Sequence, residues 1–272
     1  MLHQIRRNQL RSLLVVTVFL AIWMTAGWLA GWLVQQLTVP AAATIPWWGA
    51  AIMGALGVLV ILLGYFYGDY LALSTSSAQP ADPVRHQQLL SLVGSLAYGA
   101  RIRIPIVYVI NDPAMNAFAT GRSPNRASIV VTTGLLNQAD REQLEGVLAH
   151  EICHIRDYDV FLILTVTLMV GAASVISDLC FNMARVRAGM LPALGILTGI
   201  VFGLLGAATG PLMQLGLSRS RESLADASAV ELTRNPQGLL RALEMIAAGN
   251  RPLQTNSLAI TPMLFDSPFE GQ

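Results

Sequence analysis

The pentapeptide His150-Glu151-Ile152-Cys153-His154 sets two imidazoles four residues apart, with a carboxylate beside the first. On a helix both rings fall on one face, one turn apart, which makes half of a zinc site with its general base attached. The helix is legible independently of the motif. Asp140 can cap it, Gln143 completes a capping box three residues on, and Leu144, Val147, Leu148 and Ile155 recur at helical spacing. Cys153 sits inside the motif but reads as a small packing residue. With Cys180 as the only other cysteine, the chain has no disulfide framework and nothing that demands an oxidising compartment.

A catalytic zinc takes three protein ligands and leaves one position open for water, so the pair needs a partner. The remaining imidazoles are unpromising: His3 precedes a long apolar stretch and His86 follows a polar linker. The third ligand is therefore expected to be a carboxylate. Asp157 and Asp159 follow His154 too closely, with no glycine to turn the chain, and are expected to face water at the end of the helix. Asp178 lies at the far end of an apolar stretch. Glu222 and Asp226 are better placed, aligned at i and i+4 on a helical segment from Arg219 to Leu232, where Ala225 and Ala229 keep the face small. Ion pairs with Arg219 and Arg221 are the alternative use of these two acids.

The elements that must carry these residues belong to a membrane protein. Hydrophobic residues make up 54% of the chain, charged residues only 12%, and the mean hydropathy is +0.55, outside the range of an ordinary soluble domain. Four apolar stretches hold the excess: Ser12 to Val34, Trp47 to Gly68, Val160 to Ser177, and Leu191 to Leu217. Each is near or above the roughly 18 residues that cross a bilayer. The first two are uncharged spans. The third is short and the fourth is rich in Gly and Ala with Pro192 and Pro211 near its ends, so the two form either further spans or an embedded hairpin. Arg6, Arg7 and Arg11 place the N-terminus, and with it the segment holding the motif, on the cytoplasmic side. A ligand after the fourth stretch can meet His150 only if the last two stretches cross an even number of times. Trp23, Trp28, Trp32, Trp47 and Trp48 read as lipid anchors.

Four regions follow: two transmembrane helices over 1–70, a cytoplasmic subdomain with the motif helix over 71–159, two further hydrophobic helices over 160–217, and the third-ligand helix with the remainder over 218–272. In the second region Pro83 to Tyr98 is amphipathic through Val84, Leu89, Leu92, Val93 and Leu96, and strand signals occur at Ile104–Ile110, Asn116–Thr120 and Ser128–Thr132. Arg122 and Arg126 frame a turn and are expected in solvent. The fold class is thus mainly α, with transmembrane helices and a small β-sheet in an α+β zincin-like domain. A net charge of +1 offers no field to recruit nucleic acid, and no such partner is expected. A metal transporter would carry ionisable residues inside its spans, and these have essentially none. A non-catalytic metal-binding scaffold would want a closed site of four ligands.

The runs Asp112–Gly121, Val130–Leu136, Leu144–Ile155 and Ser218–Asp226 resemble, in order and spacing, the HtpX-type integral-membrane metallopeptidases, relatives of the CAAX prenyl protease. The resemblance covers about residues 65 to 245. It implies a zinc endopeptidase of the bacterial inner membrane, with one Zn2+ per chain and a cytoplasmic active site, acting on membrane or misfolded proteins in quality control and stress response. By position it assigns His150, His154 and Glu222 as ligands, Glu151 as base and Asp226 as a residue supporting a ligand histidine. Asn116, on a strand that accepts the substrate backbone, is a candidate substrate contact; a cap of its own backbone is the alternative. The chain departs from the family at its end, where a Ser/Thr-His-Pro element is usual and Leu264-Phe-Asp-Ser-Pro-Phe-Glu-Gly-Gln272 stands instead. An impaired homologue is the corresponding alternative, and Tyr158 and Arg221 are the candidates for stabilising an oxyanion.

Overall fold

The computed structural model describes residues 2–38, 44–160, 172, 174–182, 185, 192, 195–196, 198–204 and 219–249. Its elements in chain order are α1 (Leu2–Thr38), α2 (Ile45–Thr75), β1 (Gln79–Pro80), α3 (Gln87–Ala100), β2 (Ile106–Ile110), β3 (Ala117–Ser123), β4 (Arg126–Thr132), α4 (Thr133–Gln138), α5 (Arg141–Arg156), α6 (Arg219–Thr233) and α7 (Pro236–Ala248). The chain divides into two compact units, one of residues 1–8, 65–164 and 216–272, the other of 9–64 and 165–215.

The second unit holds most of the two long apolar helices. Leu13–Gln36 and Ile45–Thr75 are long and apolar enough to cross a membrane, and only 28% and 22% of their most apolar windows is buried by protein. A core helix of a soluble domain would be mostly covered; these leave their side chains to another apolar medium. The two helices cross at glycines: a Cβ on Gly27 would stand 2.4 Å from the Gly49 carbonyl oxygen, and one on Gly49 would stand 2.2 Å from that of Gly27. Trp23 departs from the anchoring role expected of it. It is wholly buried, with Phe19 at 4.7 Å and Phe202 edge-on at 6.1 Å, because its position on α1 faces protein. Trp47 and Trp48 are exposed, as boundary residues should be. Residues 174–182 and 198–204 are helical, and Ser177 Oγ donates to the Gly199 carbonyl at 3.0 Å. Most of the third and fourth apolar stretches, and the chain end at 264–272, lie outside the described residues.

The first unit packs helices around a mixed sheet of order β1-β2-β4-β3, in which β2 and β4 run parallel and β3 pairs antiparallel with β4 at the edge. Val107, Val109, Ile129, Val131 and Ala119 send their side chains to one core with Leu92, Val93 and Leu96 of α3 and with Val147, Leu148 and Ile152 of α5. The amphipathic helix begins later than the hydrophobic pattern suggests. Asp82 Oδ1 accepts from the Val84 and Arg85 N–H groups and folds residues 83–86 into a turn, leaving Val84 88% exposed. His86 is spent there, its Nδ1 accepting from the Asp82 N–H. Arg122 also differs from expectation: its guanidinium stacks over Tyr65 and Phe66, 5.0 and 5.6 Å from the ring centres, rather than standing in solvent.

Helix α5 runs through this core with eleven of its sixteen residues buried. Its start carries both halves of the capping box, the Asp140 side chain accepting from the Gln143 N–H and the Gln143 side chain accepting from the Asp140 N–H. Gly146 lets α7 approach closely, since a Cβ there would lie 2.7 Å from the Leu239 backbone nitrogen. The motif helix is thus pinned at its first turn and along its flank before its two histidines reach the site.

Candidate metal centre

His150 and His154, one turn apart on α5, direct their Nε2 atoms toward each other at 3.0 Å, with the rings edge to face. Glu222 on α6 brings Oε2 to 3.4 Å from the first Nε2 and 3.5 Å from the second. These three residues form the one group among the described residues whose ligand atoms all fall within 4.8 Å and could hold a metal ion. Each ring is held from behind by a carboxylate. His150 Nδ1 lies 3.0 Å from Asp226 Oδ1, and His154 Nδ1 lies 3.4 Å from Asp159 Oδ2.

This donor set fits a divalent cation on its own chemistry. With Nδ1–H of each ring turned to a carboxylate, the neutral tautomers leave both Nε2 lone pairs and the Glu222 oxygen converging with no hydrogen between them. Two imidazole nitrogens and a carboxylate oxygen are a zinc ligand set that keeps a fourth position open. Without a cation, protons must take its place. Burial opposes charge on His150, but hydrogen bonds to Asp226 and Glu222 outweigh it and raise its pKa. Burial also opposes charge on His154, yet Asp159 and Glu222 carry its pKa up to about 10. Burial would raise Glu222; the hydrogen bonds from the two imidazoles overcome that and hold it well below the usual carboxylate range.

Glu151 is 4% exposed, and burial, partly offset by the neighbouring histidines, pushes its pKa up to about 7. The Ala119 backbone N–H of edge strand β3 faces its carboxylate and opposes that rise slightly. Cys153 is fully buried in the core, and burial pushes its thiol up to about 12, so it stays a neutral packing group.

Asn116 is 5% exposed, and its Oδ1 accepts from the Ala117 N–H at 2.8 Å while its own N–H donates to Thr132 Oγ1. Its side-chain oxygen thus caps local backbone. Asp157 and Asp159 do not face water. Asp157 is 6% exposed and takes the Arg156 guanidinium at 2.9 Å, and Asp159 is 2% exposed. The chain turns without glycine because Tyr158 itself adopts the left-handed conformation, φ 64°, and sends Asp159 back beneath His154. Arg221, a candidate for the oxyanion, is instead 4% exposed with NH1 3.1 Å from Asp159 Oδ1. Tyr158 lines a small hollow with Gly121, Ser123, Ala127, Ile155 and Val160. The spacing of Asp159 from His154 excludes it as a ligand, but its i+5 position after a helix end lets it support one.

The sequence profile described as Peptidase family M48 matches residues 81–267. A "Protease HtpX homolog" of Lactobacillus helveticus (strain DPC 4571) is 34% identical over 281 aligned residues, covering 99% of this chain and 91% of that protein. One from Caldanaerobacter subterraneus subsp. tengcongensis is 36% identical, covering 82% and 78%, and one from Listeria monocytogenes serovar 1/2a is 36% identical, covering 89% and 86%. Among solved structures, that of S. mikatae Ste24p aligns with 93% of this chain and 62% of its own, with a TM-score of 0.49 and 20% identity. With the family profile spanning most of the sequence and the paired histidines and distant glutamate gathered in one place, this chain belongs to peptidase family M48, as an HtpX-like membrane protease.

Proposed function

We propose that the chain is a zinc-dependent endopeptidase in which His150, His154 and Glu222 hold one Zn2+ and Glu151 is the general base. The observation that carries this is the convergence of the two Nε2 atoms and the Glu222 carboxylate within 4.8 Å. When bound, zinc lowers the pKa of a water toward about 7 and polarises the scissile carbonyl. Glu151 takes the proton from the attacking water and passes it to the leaving amine; its buried setting, which raises its pKa above that of an ordinary glutamate, suits both directions of transfer. Asp226 orients His150 and fixes the tautomer that offers Nε2. Strand β3, with a neighbour on one side only, offers its other edge to a substrate backbone laid down as an added strand. Asn116, whose Oδ1 accepts from the Ala117 N–H at the start of this strand, is the side chain assigned to a main-chain group of the substrate.

The substrates are polypeptides, and we assign them to membrane or misfolded proteins cleared in quality control. The setting is the bacterial inner membrane, with the active site on the cytoplasmic side. Two long apolar helices and the arginines ahead of the first support that placement. The test is metal content and casein cleavage by purified protein. Glu151→Gln should keep zinc and lose cleavage, and Glu222→Ala should lose both. Cleavage that survives Glu222→Ala would overturn the ligand set.

A further inference from the structure

Resting on the zinc assignment above, we infer that Asp159 and Arg221 are positioning residues that lock His154 and the Glu222 helix into a single register. One carboxylate serves both partners: Asp159 Oδ2 faces His154 Nδ1 at 3.4 Å and Oδ1 faces Arg221 NH1 at 3.1 Å. Arg221 immediately precedes Glu222 on α6, so the guanidinium that compensates Asp159 is carried by the segment that delivers the third ligand. His154 and Glu222 come from elements separated in sequence by the apolar stretches, and this is a charged link across their junction.

The two ligand histidines are supported differently. Behind His150, the Asp226 side chain is 44% exposed and water can share its work. Behind His154, the Asp159 and Arg221 side chains are 3% and 4% exposed. A carboxylate so deeply buried is costly without a counter-charge, and Arg221 supplies one at 3.1 Å. The left-handed Tyr158 belongs to the same arrangement. A tyrosine at φ 64° is held in an unfavourable conformation, and what holds it is the return of Asp159 to its two partners. Asp159 therefore selects the His154 tautomer that offers Nε2, and Arg221 holds Asp159 while setting where Glu222 stands.

The test measures zinc affinity of the purified full chain in detergent by competition with a chromophoric zinc chelator. Variants are Asp159→Asn, Arg221→Met and the double variant, with Glu222→Ala as reference. Removing support behind a ligand weakens metal binding by about 10- to 100-fold, so each single variant should lose zinc affinity within that range. Because both act through one chain of contacts, the double variant should bind no more weakly than the worse single. The double variant also removes both buried charges together, so it remains measurable if a single variant does not fold. Affinities within about twofold of the parent while Glu222→Ala loses zinc would overturn the coupling. So would losses that add in the double variant. Retention of zinc by Glu222→Ala would instead overturn the zinc assignment itself, which separates the two failures.

Discussion

The 3.0 Å between His150 Nε2 and His154 Nε2 has a consequence that can be counted in protons. That is a hydrogen-bond distance, and two neutral imidazoles whose N–H groups already point to Asp226 and Asp159 have no hydrogen to put there. The metal-free site therefore takes up one proton, in keeping with a His154 pKa raised to about 10. Zinc needs both nitrogens bare, so binding must expel it. Each zinc should release at least about one proton below pH 10, and more toward pH 6 where His150, its pKa also raised, takes up a proton too, so the apparent affinity should fall at least about tenfold per pH unit, or at least about 100-fold from pH 8 to pH 6. Zinc titration of chelator-stripped protein, by calorimetry in two buffers of different ionisation enthalpy, measures the proton count directly. Metal-free stability should move the opposite way. His154 has a folded pKa above its unfolded value near 6.5, so its contribution is complete below about pH 6.5 and is lost as pH rises toward 10. A zinc affinity that is flat between pH 6 and 8, with no proton release, would refute the tautomer assignment behind the metal site.

Three further outcomes follow from the same geometry. Glu151→Gln should reduce kcat by about 10²- to 10⁴-fold with zinc retained, and parent kcat/KM should fall as acid protonates Glu151, whose pKa burial raises to about 7 and a bound cation lowers again; a rate unchanged down to about pH 4, where an ordinary glutamate titrates, would argue against this base. Two glycine-to-alanine changes should differ in sign when thermal unfolding is compared. At Gly146 the new Cβ meets the Leu239 backbone at 2.7 Å and should destabilise by about 1–3 kcal/mol, whereas at Gly94, within α3 and with nothing inside 4 Å, it should stabilise by about 0.5–1 kcal/mol. Asp140→Ala removes the cap of α5 and should cost about 1 kcal/mol without changing which metal binds, read from unfolding midpoints beside zinc content.

What the sequence determined by itself was whatever is local or compositional. The capping box at Asp140 and Gln143, the i and i+4 histidines, and the two apolar stretches all express forces acting within a few residues or set by the solvent around one helix. Even Glu222 and Asp226 could be proposed together, because their spacing on one helix is a local fact. The tertiary structure decided whatever depends on what a side chain meets across the fold. Trp23 was as apolar as Trp47, and only packing against Phe19 and Phe202 makes it core. Asp159 looked like a solvated acid after a helix end. Its role depends on a left-handed Tyr158 and on Arg221, 62 positions away, neither of which leaves a periodic trace in the chain. A buried charge is tolerated only where another element brings its counter-charge, and that meeting is a property of the folded chain.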